Sequence, residues 1–289
     1  MIQQAMKNSA ILLITCPDQQ GLVSVVANLL FKYNGNVLHA DQHIDTEEKL
    51  FFMRVEWDLE SFSIDIEHFK EEFKGIAAQY KMRWQLQRSA QKLNTAIFVS
   101  KQDHCLADLL YRHRAGELAC ELKLIISNHV DTQSLADFYS IPFHHIPMSK
   151  ESKPETENAQ KSLLEQHGID LIVLARYMQI LSPQFITDYP DKIINIHHSF
   201  LPAFLGAKPY HRAFERGVKL IGATSHYVTA ELDNGPIIEQ NVLRVSHRDQ
   251  VNDLVRKGQD IEKTVLSRAV RLHLEHRILT YGNKTVIFD

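Results

Sequence analysis

The chain of 289 residues is long enough for two ordinary domains, and its composition, 44% hydrophobic and 23% charged, is that of a globular protein. A net charge of −3 argues against a nucleic-acid partner, whose binding surface would be basic. No apolar run reaches the length of a signal peptide or a membrane span, so we expect neither export nor a membrane partner. Three scattered cysteines without a Cys-x-x-Cys pair fit a reducing cytoplasm.

Sixteen histidines raise the question of a metal site. No His-x-x-x-His or His-Glu-x-x-His pair lies on a predicted helix, and the two His-His pairs, His144-His145 and His197-His198, are direct neighbours. Neighbours on a strand point to opposite faces and cannot bind one ion together. The sequence therefore predicts no bound metal.

Apolar residues in positions 1–88 follow the order βαββαβ, which is typical of a ferredoxin-like domain. The pattern predicts strands over residues 10–15, 37–44, 50–57 and 82–87, and helices over residues 18–33 and 64–80. Asp18 is placed to cap the first helix. In the third strand Leu50 and Phe52 lie opposite the core-facing residues, so we expect their face to be open to a second copy of the chain.

Residues 89–93 are polar and predict a linker, and residues 94–289 predict a second domain in which strands and helices alternate. This alternation predicts a doubly wound, mostly parallel, Rossmann-like sheet, whose ligands bind beyond the carboxyl ends of the strands. The predicted elements are strands over 95–100, 122–127, 170–175 and 193–197, helices over 104–115, 131–139, 155–167 and 211–216, antiparallel strands over 220–228 and 236–245, a helix over 249–277 and a strand over 285–288.

An amide, an imidazole and a carboxylate lie at strand ends in this second domain. Asn195 and His197 are two residues apart at the end of a predicted strand and so face the same side. Asp233 begins an Asp-Asn-Gly turn, where it could also be a simple turn residue. Such a trio can polarise a carbonyl, stabilise an oxyanion and move a proton.

The order Asn195-x-His197, Ser199-x-Leu201-Pro202 and Asp233-x-Gly235 resembles the catalytic core of the superfamily of 10-formyltetrahydrofolate-using formyltransferases and deformylases. The segments LARYMQILSP at residues 174–183 and IGATSHYV at residues 221–228 extend the resemblance. The resemblance implies that Asn195, His197 and Asp233 are catalytic. It also implies a set of folate-binding residues: Arg176, Met178, Leu181 and Leu232.

Two departures from the transferases point toward the deformylases of this superfamily. Purine-ribonucleotide transferases carry a glycine-rich phosphate loop, whereas residues 99–105 (VSKQDHC) hold no glycine and add Asp103, which would repel a phosphate. His198 follows the catalytic histidine where transferases commonly have proline, so we expect it to influence the choice of acceptor. A methionyl-tRNA formyltransferase would need a basic extension beyond Asp289, which we do not expect.

The segment TCPDQQGLV at residues 15–23 resembles the start of an ACT domain, a regulatory module that often binds an amino acid. The resemblance implies Asp18 and Gly21 as regulatory residues for an effector such as glycine or methionine, and pairing into a homo-oligomer. Helix N-terminal amides are a reasonable site for the effector's carboxylate. A domain that only packs, with no ligand, is the equal alternative.

These resemblances imply a cytoplasmic enzyme that hydrolyses 10-formyltetrahydrofolate to tetrahydrofolate and formate. The formate would supply purine synthesis, and the reaction would balance the one-carbon pool. The folate is the substrate, and no cofactor is expected. The alternatives are a formyltransferase with an amine acceptor, and a non-catalytic module that senses folate or an amino acid.

Overall fold

A computed structural model describes residues 8–149, 151–202 and 209–289; residues 1–7 of the first predicted domain lie outside this range. The chain forms two compact units. The first unit comprises Met1–Lys92, Glu275–Leu279 and Val286–Asp289, and the second comprises Leu93–Leu274 and Thr280–Thr285. Among the described residues, no helix is both long enough and apolar enough to cross a membrane.

The first unit is a four-stranded antiparallel sheet with two helices. Its elements are β1 (Ser9–Pro17), α1 (Leu22–Lys32), β2 (Asn36–Asp45), β3 (Leu50–Asp58), α2 (Ile66–Gln79) and β4 (Arg83–Arg88). The strands lie in the order β2-β3-β1-β4, which confirms the ferredoxin-like arrangement. The core forms because β3 alternates: Trp57 is fully buried and its ring lies 5.0 Å from that of Phe69 on α2.

The start of α1 differs from the prediction. The residue before the helix is Gly21, in the left-handed conformation with φ of 89°, and no side chain caps the helix. Asp18 is therefore not the cap, because the chain turns at Gly21, three residues later, before the helix begins. Both Asp18 and Gly21 are exposed, and their regulatory role stays a prediction.

The prediction that one face of β3 is open to a second copy of the chain is wrong. Phe52 is completely buried and Leu50 is partly buried within the chain itself. The neighbouring Arg54 on the same face is also buried, and its guanidinium donates to the carbonyl oxygens of Glu275 and His276 at 3.3 and 3.0 Å. Residues near the end of the chain thus contact the face that was expected to be open to a second copy. The prediction that residues 94–289 all belong to the second unit is also wrong, because Glu275–Leu279 and Val286–Asp289 belong to the first.

The second unit is built on a seven-stranded sheet. Its elements are β5 (Leu93–Val99), α3 (His104–Ala115), β6 (Cys120–Ser127), α4 (Gln133–Phe138), β7 (Phe143–His145), α5 (Lys153–Gln166), β8 (Leu171–Ala175), α6 (Pro183–Thr187), β9 (Ile193–His197), α7 (Pro209–Arg216), β10 (Leu220–Tyr227), β11 (Ile237–Arg244) and α8 (Val251–Leu274). The order is β11-β10-β9-β8-β5-β6-β7, parallel from β9 to β7 and antiparallel at β10 and β11. The predicted doubly wound, mostly parallel sheet is confirmed.

Burial in the second unit follows the strand pattern. All five residues of β8 are buried, as expected for an inner strand of a parallel sheet covered on both faces. The helix α8 ends at Leu274 rather than at the predicted residue 277, because His276 takes a left-handed φ of 51°. A hairpin of β12 (Ile278–Tyr281) and β13 (Lys284–Ile287) follows, where the pattern predicted one strand.

Candidate active site

A cavity of about 660 Å³ opens where β8 and β9 of the second unit end. This is the edge of a parallel sheet at which ligands commonly bind. All eight predicted residues of the second unit line it: Arg176, Met178, Leu181, Asn195, His197, His198, Leu232 and Asp233.

Strand alternation places Asn195 and His197 side by side. They lie two residues apart on β9, opposite His226 and Thr224 of β10. The Asn195 amide nitrogen Nδ2 lies 3.2 Å from His226 Nε2. The Nδ1 atom of His226 lies 2.9 Å from the Tyr227 carbonyl oxygen, which can only accept, so Nδ1 carries the proton. In the neutral ring Nε2 therefore accepts from Asn195 and orients its amide.

Asp233 reaches His197 from the loop between β10 and β11. Its Oδ2 lies 3.2 Å from His197 Nδ1, and its Oδ1 lies 3.8 Å from His226 Nε2. The residue has a left-handed φ of 55°, which Asp and Asn tolerate better than most residues. The turn packs closely, because a Cβ on Gly235 would lie 1.8 Å from the Tyr227 carbonyl oxygen. The Asp-Asn-Gly sequence is therefore required by the geometry of the loop as well as by chemistry.

The electrostatics of the trio keep Asp233 ionised. Burial by itself would raise the pKa of Asp233, but the hydrogen bond and charge of His197, with His226 nearby, outweigh burial and hold the pKa well below its usual range. The other ring nitrogen of His197, Nε2, is buried and has no hydrogen-bond partner among the described residues. A buried nitrogen without a partner is costly, so this atom is available for a substrate group.

His198 lies in the same cavity as His197. Strand β9 ends at His197, so the alternation stops there. The two rings stack with centroids 5.2 Å apart. Burial, and then the nearby charge of Arg176, lower the pKa of His198 to about 4, so its ring is neutral near pH 7.

The predicted folate-binding residues fall into two groups. Met178 and Leu232 are 59% and 64% exposed, so they offer apolar surface at the mouth of the cavity. Leu181 is only 4% exposed and belongs both to the core and to the cavity wall. The Met178 backbone N–H donates to Ser100 Oγ at 2.9 Å, which fixes the segment after β8.

Arg176 is different, because it belongs to a polar cluster that sequence reasoning missed. We call His104, Arg176, Tyr210 and Glu262 the Glu262 cluster. The Glu262 carboxylate lies 2.7 Å from His104 Nε2, 2.6 Å from Tyr210 Oη and 3.5 Å from Arg176 Nε. The one sequence signal was Glu262 itself, an acidic residue on the apolar stripe of the predicted last helix.

The Glu262 cluster does not suit a metal ion, although the ligand atoms of His104, Cys105 and Glu262 lie within 4.8 Å of one another. Burial, together with the charge of Glu262, raises the pKa of the Cys105 thiol well above its usual range, so no thiolate is available. The Glu262 oxygens already accept from His104 and Tyr210, and the Arg176 guanidinium would repel a cation.

Residues 93–270 match the sequence profile of the formyl transferase family. A formyltetrahydrofolate deformylase from Synechocystis is 56% identical over 280 residues, covering 97% of this chain and 98% of the relative. The crystal structure of a formyltetrahydrofolate deformylase from Pseudomonas syringae is similar with a TM-score of 0.96, at 48% identity, over 99% of this chain and 96% of that one. This chain belongs to the formyltetrahydrofolate deformylase family.

The deformylase family shares the second unit's fold with transferases. A glycinamide ribonucleotide transformylase from Symbiobacterium toebii is similar with a TM-score of 0.64 at 32% identity, but over only 68% of this chain and 95% of its own. The full-length similarity to deformylases therefore decides between the two enzyme classes. The roles of the individual site residues remain predictions from geometry.

Proposed function

We propose that this chain hydrolyses 10-formyltetrahydrofolate to tetrahydrofolate and formate. The observation that carries the proposal is the arrangement at the end of β9. There, His197 has one ring nitrogen on the Asp233 carboxylate and the other buried without a partner, beside the amide of Asn195. In a cavity of about 660 Å³, a carbonyl oxygen bound here would meet an amide and an imidazole together.

The reaction needs a polarised carbonyl, a water molecule and a proton for the leaving nitrogen. The Asn195 amide donates to the formyl oxygen as water attacks the formyl carbon, and the tetrahedral oxyanion that forms is held by the same donor. The C–N bond then breaks, and its electron pair goes to N10, which takes a proton from His197. The products are tetrahydrofolate, formate and one released proton, which balances the equation.

Asp233 supports these reaction steps by stabilising the positive charge that develops on His197. The carboxylate holds the Nδ1 proton of the ring and is ionised across the ordinary pH range. His197 Nε2 can therefore accept a proton from water and return it to N10 without losing its orientation. A placed acid or base of this kind contributes roughly a hundred- to ten-thousandfold in rate.

The apolar surfaces fit a pterin ring. Met178 and Leu232 flank the mouth of the cavity, and Leu181 forms part of its wall. A reduced pterin ring between such side chains would place the formyl group on N10, which is joined to the ring through a methylene, toward the polar end of the cavity. Formate released in this way would supply purine synthesis and balance the one-carbon pool.

Further parts of the proposal concern regulation and location. The exposed turn at Asp18 and Gly21 precedes the eleven-residue helix α1, whose N-terminal amides would hold the carboxylate of glycine or methionine. Pairing of two first units into a homo-oligomer would complete this site. The thiols of Cys16, Cys105 and Cys120 are all buried, which fits a reducing cytoplasm.

The deciding experiment uses the purified full chain with 10-formyltetrahydrofolate, without an acceptor and without added metal. We expect equal amounts of tetrahydrofolate and formate, and no loss of rate with a chelator. If products appear only when an amine acceptor is added, the chain is a formyltransferase. If the folate binds and no product forms under any condition, the non-catalytic sensor is correct. Glycine and methionine are then added to test regulation at a distance from His197.

A further inference from the structure

The reaction creates a negative charge that the substrate's formyl group does not have. The formyl amide is neutral, whereas formate is an anion, and it forms in a cavity that already holds the carboxylates of Asp233 and Glu262. Without a cationic partner, the product would be repelled by both. A cation near the formyl carbon would offset this repulsion in a hydrolase, while a transferase, whose product is again a neutral amide, creates no such charge.

Arg176 is the one Lys or Arg side chain among the described residues that line the cavity. It lies directly after β8, with a left-handed φ of 62° that a non-glycine residue seldom takes. Its side chain is 9% exposed. Its charge is, after burial, the largest influence on His198, whose ring stacks on that of His197. Arg176 thus lines the same cavity as His197 and His198.

The hydrogen bonds of Arg176 use only one edge of the guanidinium. Nε donates to Gln102 Oε1 at 2.9 Å and faces Glu262 Oε2 at 3.5 Å. Within the described part of the chain, neither terminal nitrogen has a hydrogen-bond partner. Neither of them is among the buried polar atoms without a partner, and Arg176 is one of the residues that line the cavity.

We propose that the two terminal nitrogens of Arg176 bind the formate product, and that Gln102 and Glu262 position the guanidinium for this purpose. A carboxylate and a guanidinium edge match in a planar, two-bond geometry. One formate oxygen comes from the formyl group and the other from water, and both would accept from Arg176. Glu262 offsets part of the positive charge, so formate binds weakly enough to leave. This assignment rests on the proposed hydrolysis and replaces the general folate contact predicted for Arg176.

The test measures formate binding and catalysis separately, on the full chain. Sodium formate enriched in carbon-13 is titrated by NMR against the protein without folate, with sodium chloride at equal ionic strength as the reference. Formate is then added as an inhibitor of 10-formyltetrahydrofolate hydrolysis. The variants are Arg176→Lys, which keeps the charge beside Glu262 but loses the planar edge, and Arg176→Met. The control is Arg112→Lys. The Arg112 guanidinium donates to Asp108 on α3 and to Glu117 just after it, and Arg112 does not line the cavity.

We expect formate to bind the unchanged protein and to inhibit it, and Arg176→Lys to weaken both effects about tenfold or more. The KM for the folate should change less than twofold, and Arg112→Lys should match the unchanged protein. The proposal would be overturned if Arg176→Lys and Arg176→Met both bound formate as tightly as the unchanged protein does. A folate KM that rises as much as the formate constant would also overturn it. Absence of formate release by the unchanged protein would instead refute the hydrolysis, and the titration without folate would still decide the assignment of Arg176.

Discussion

Replacing Asp233 by Asn is the sharpest test of the catalytic geometry. Asn is nearly isosteric with Asp and tolerates the left-handed φ of 55° found here, so the loop should keep its shape. What is lost is a full negative charge 3.2 Å from His197 Nδ1 and 3.8 Å from His226 Nε2. The perturbation is thus electrostatic rather than structural.

The distance sets the size of the effect. Two unit charges at 3.2 Å attract by about 5 kcal/mol at an effective dielectric constant of ~20, which suits a half-buried pair. The Asn dipole and solvent return part of that stabilisation. We therefore expect kcat to fall by roughly a hundred- to ten-thousandfold, since each ~1.4 kcal/mol of barrier is worth a factor of ten.

The assay follows formate release at saturating folate and, separately, the binding of tetrahydrofolate at equilibrium. Binding should change less than about threefold, because the carboxylate acts on charge that develops only during reaction. Glu231→Gln is the matched control, since Glu231 is exposed in the same loop and does not line the cavity. A kcat loss under tenfold, or a loss of binding as large as the loss of rate, would refute the reasoning and leave Asp233 as a turn residue.

Further predictions concern four other positions. His197→Ala should lower kcat as strongly as Asp233→Asn. Because the two residues act together, the kcat of the double variant, measured in the same assay, should be little lower than that of either single variant. His198→Pro should reduce hydrolysis while folate binding stays within threefold; unchanged hydrolysis would remove His198 from the mechanism. Burial lowers the pKa of His198 from 6.5 in the unfolded chain to about 4 in the folded protein. As the pH falls from 6.5 to about 4, the unfolded chain therefore takes up a proton that the folded protein does not, and the free energy of unfolding decreases. His198→Asn should reduce the slope of the free energy of unfolding against pH in this range. Gly235→Ala should destabilise the fold by ~3 kcal/mol or more in denaturant unfolding, because its Cβ would meet a backbone oxygen at 1.8 Å, whereas Gly75→Ala, in open space on α2, should be neutral or stabilising by up to ~1 kcal/mol.

Local patterns were sufficient for most elements of both units. The alternation in β3 and the continuous apolar run of β8 predicted strands that the structure has at nearly the same residues. The two-residue spacing of Asn195 and His197 predicted a shared face, and both residues line one cavity. These signals succeed because burial on one side of a strand repeats every second residue, whatever the strand packs against.

Ends of elements were predicted less well, because they depend on single backbone conformations. The left-handed Gly21 moved the start of α1 from residue 18 to Leu22, and the left-handed His276 ended α8 early and began a hairpin. The placement of His198 in the cavity depends in the same way on the end of β9, one residue before it. Periodicity gives no warning of where such a conformation interrupts it.

By itself, then, the sequence determined the order of the elements and the sheet class, since these depend on residue spacing and on local burial. The catalytic roles of Asn195, His197 and Asp233 came from the family resemblance and stay a prediction. Only the tertiary structure brought His104 to within 2.7 Å of Glu262, across 158 positions of sequence, and placed Arg176 in the wall of the cavity. It also buried Phe52, which had been expected to lie on an open face, and its neighbour Arg54. Such pairings are decided by how helices and chain ends pack on a sheet, which gives each buried charge its partner and has no short-range pattern in the sequence.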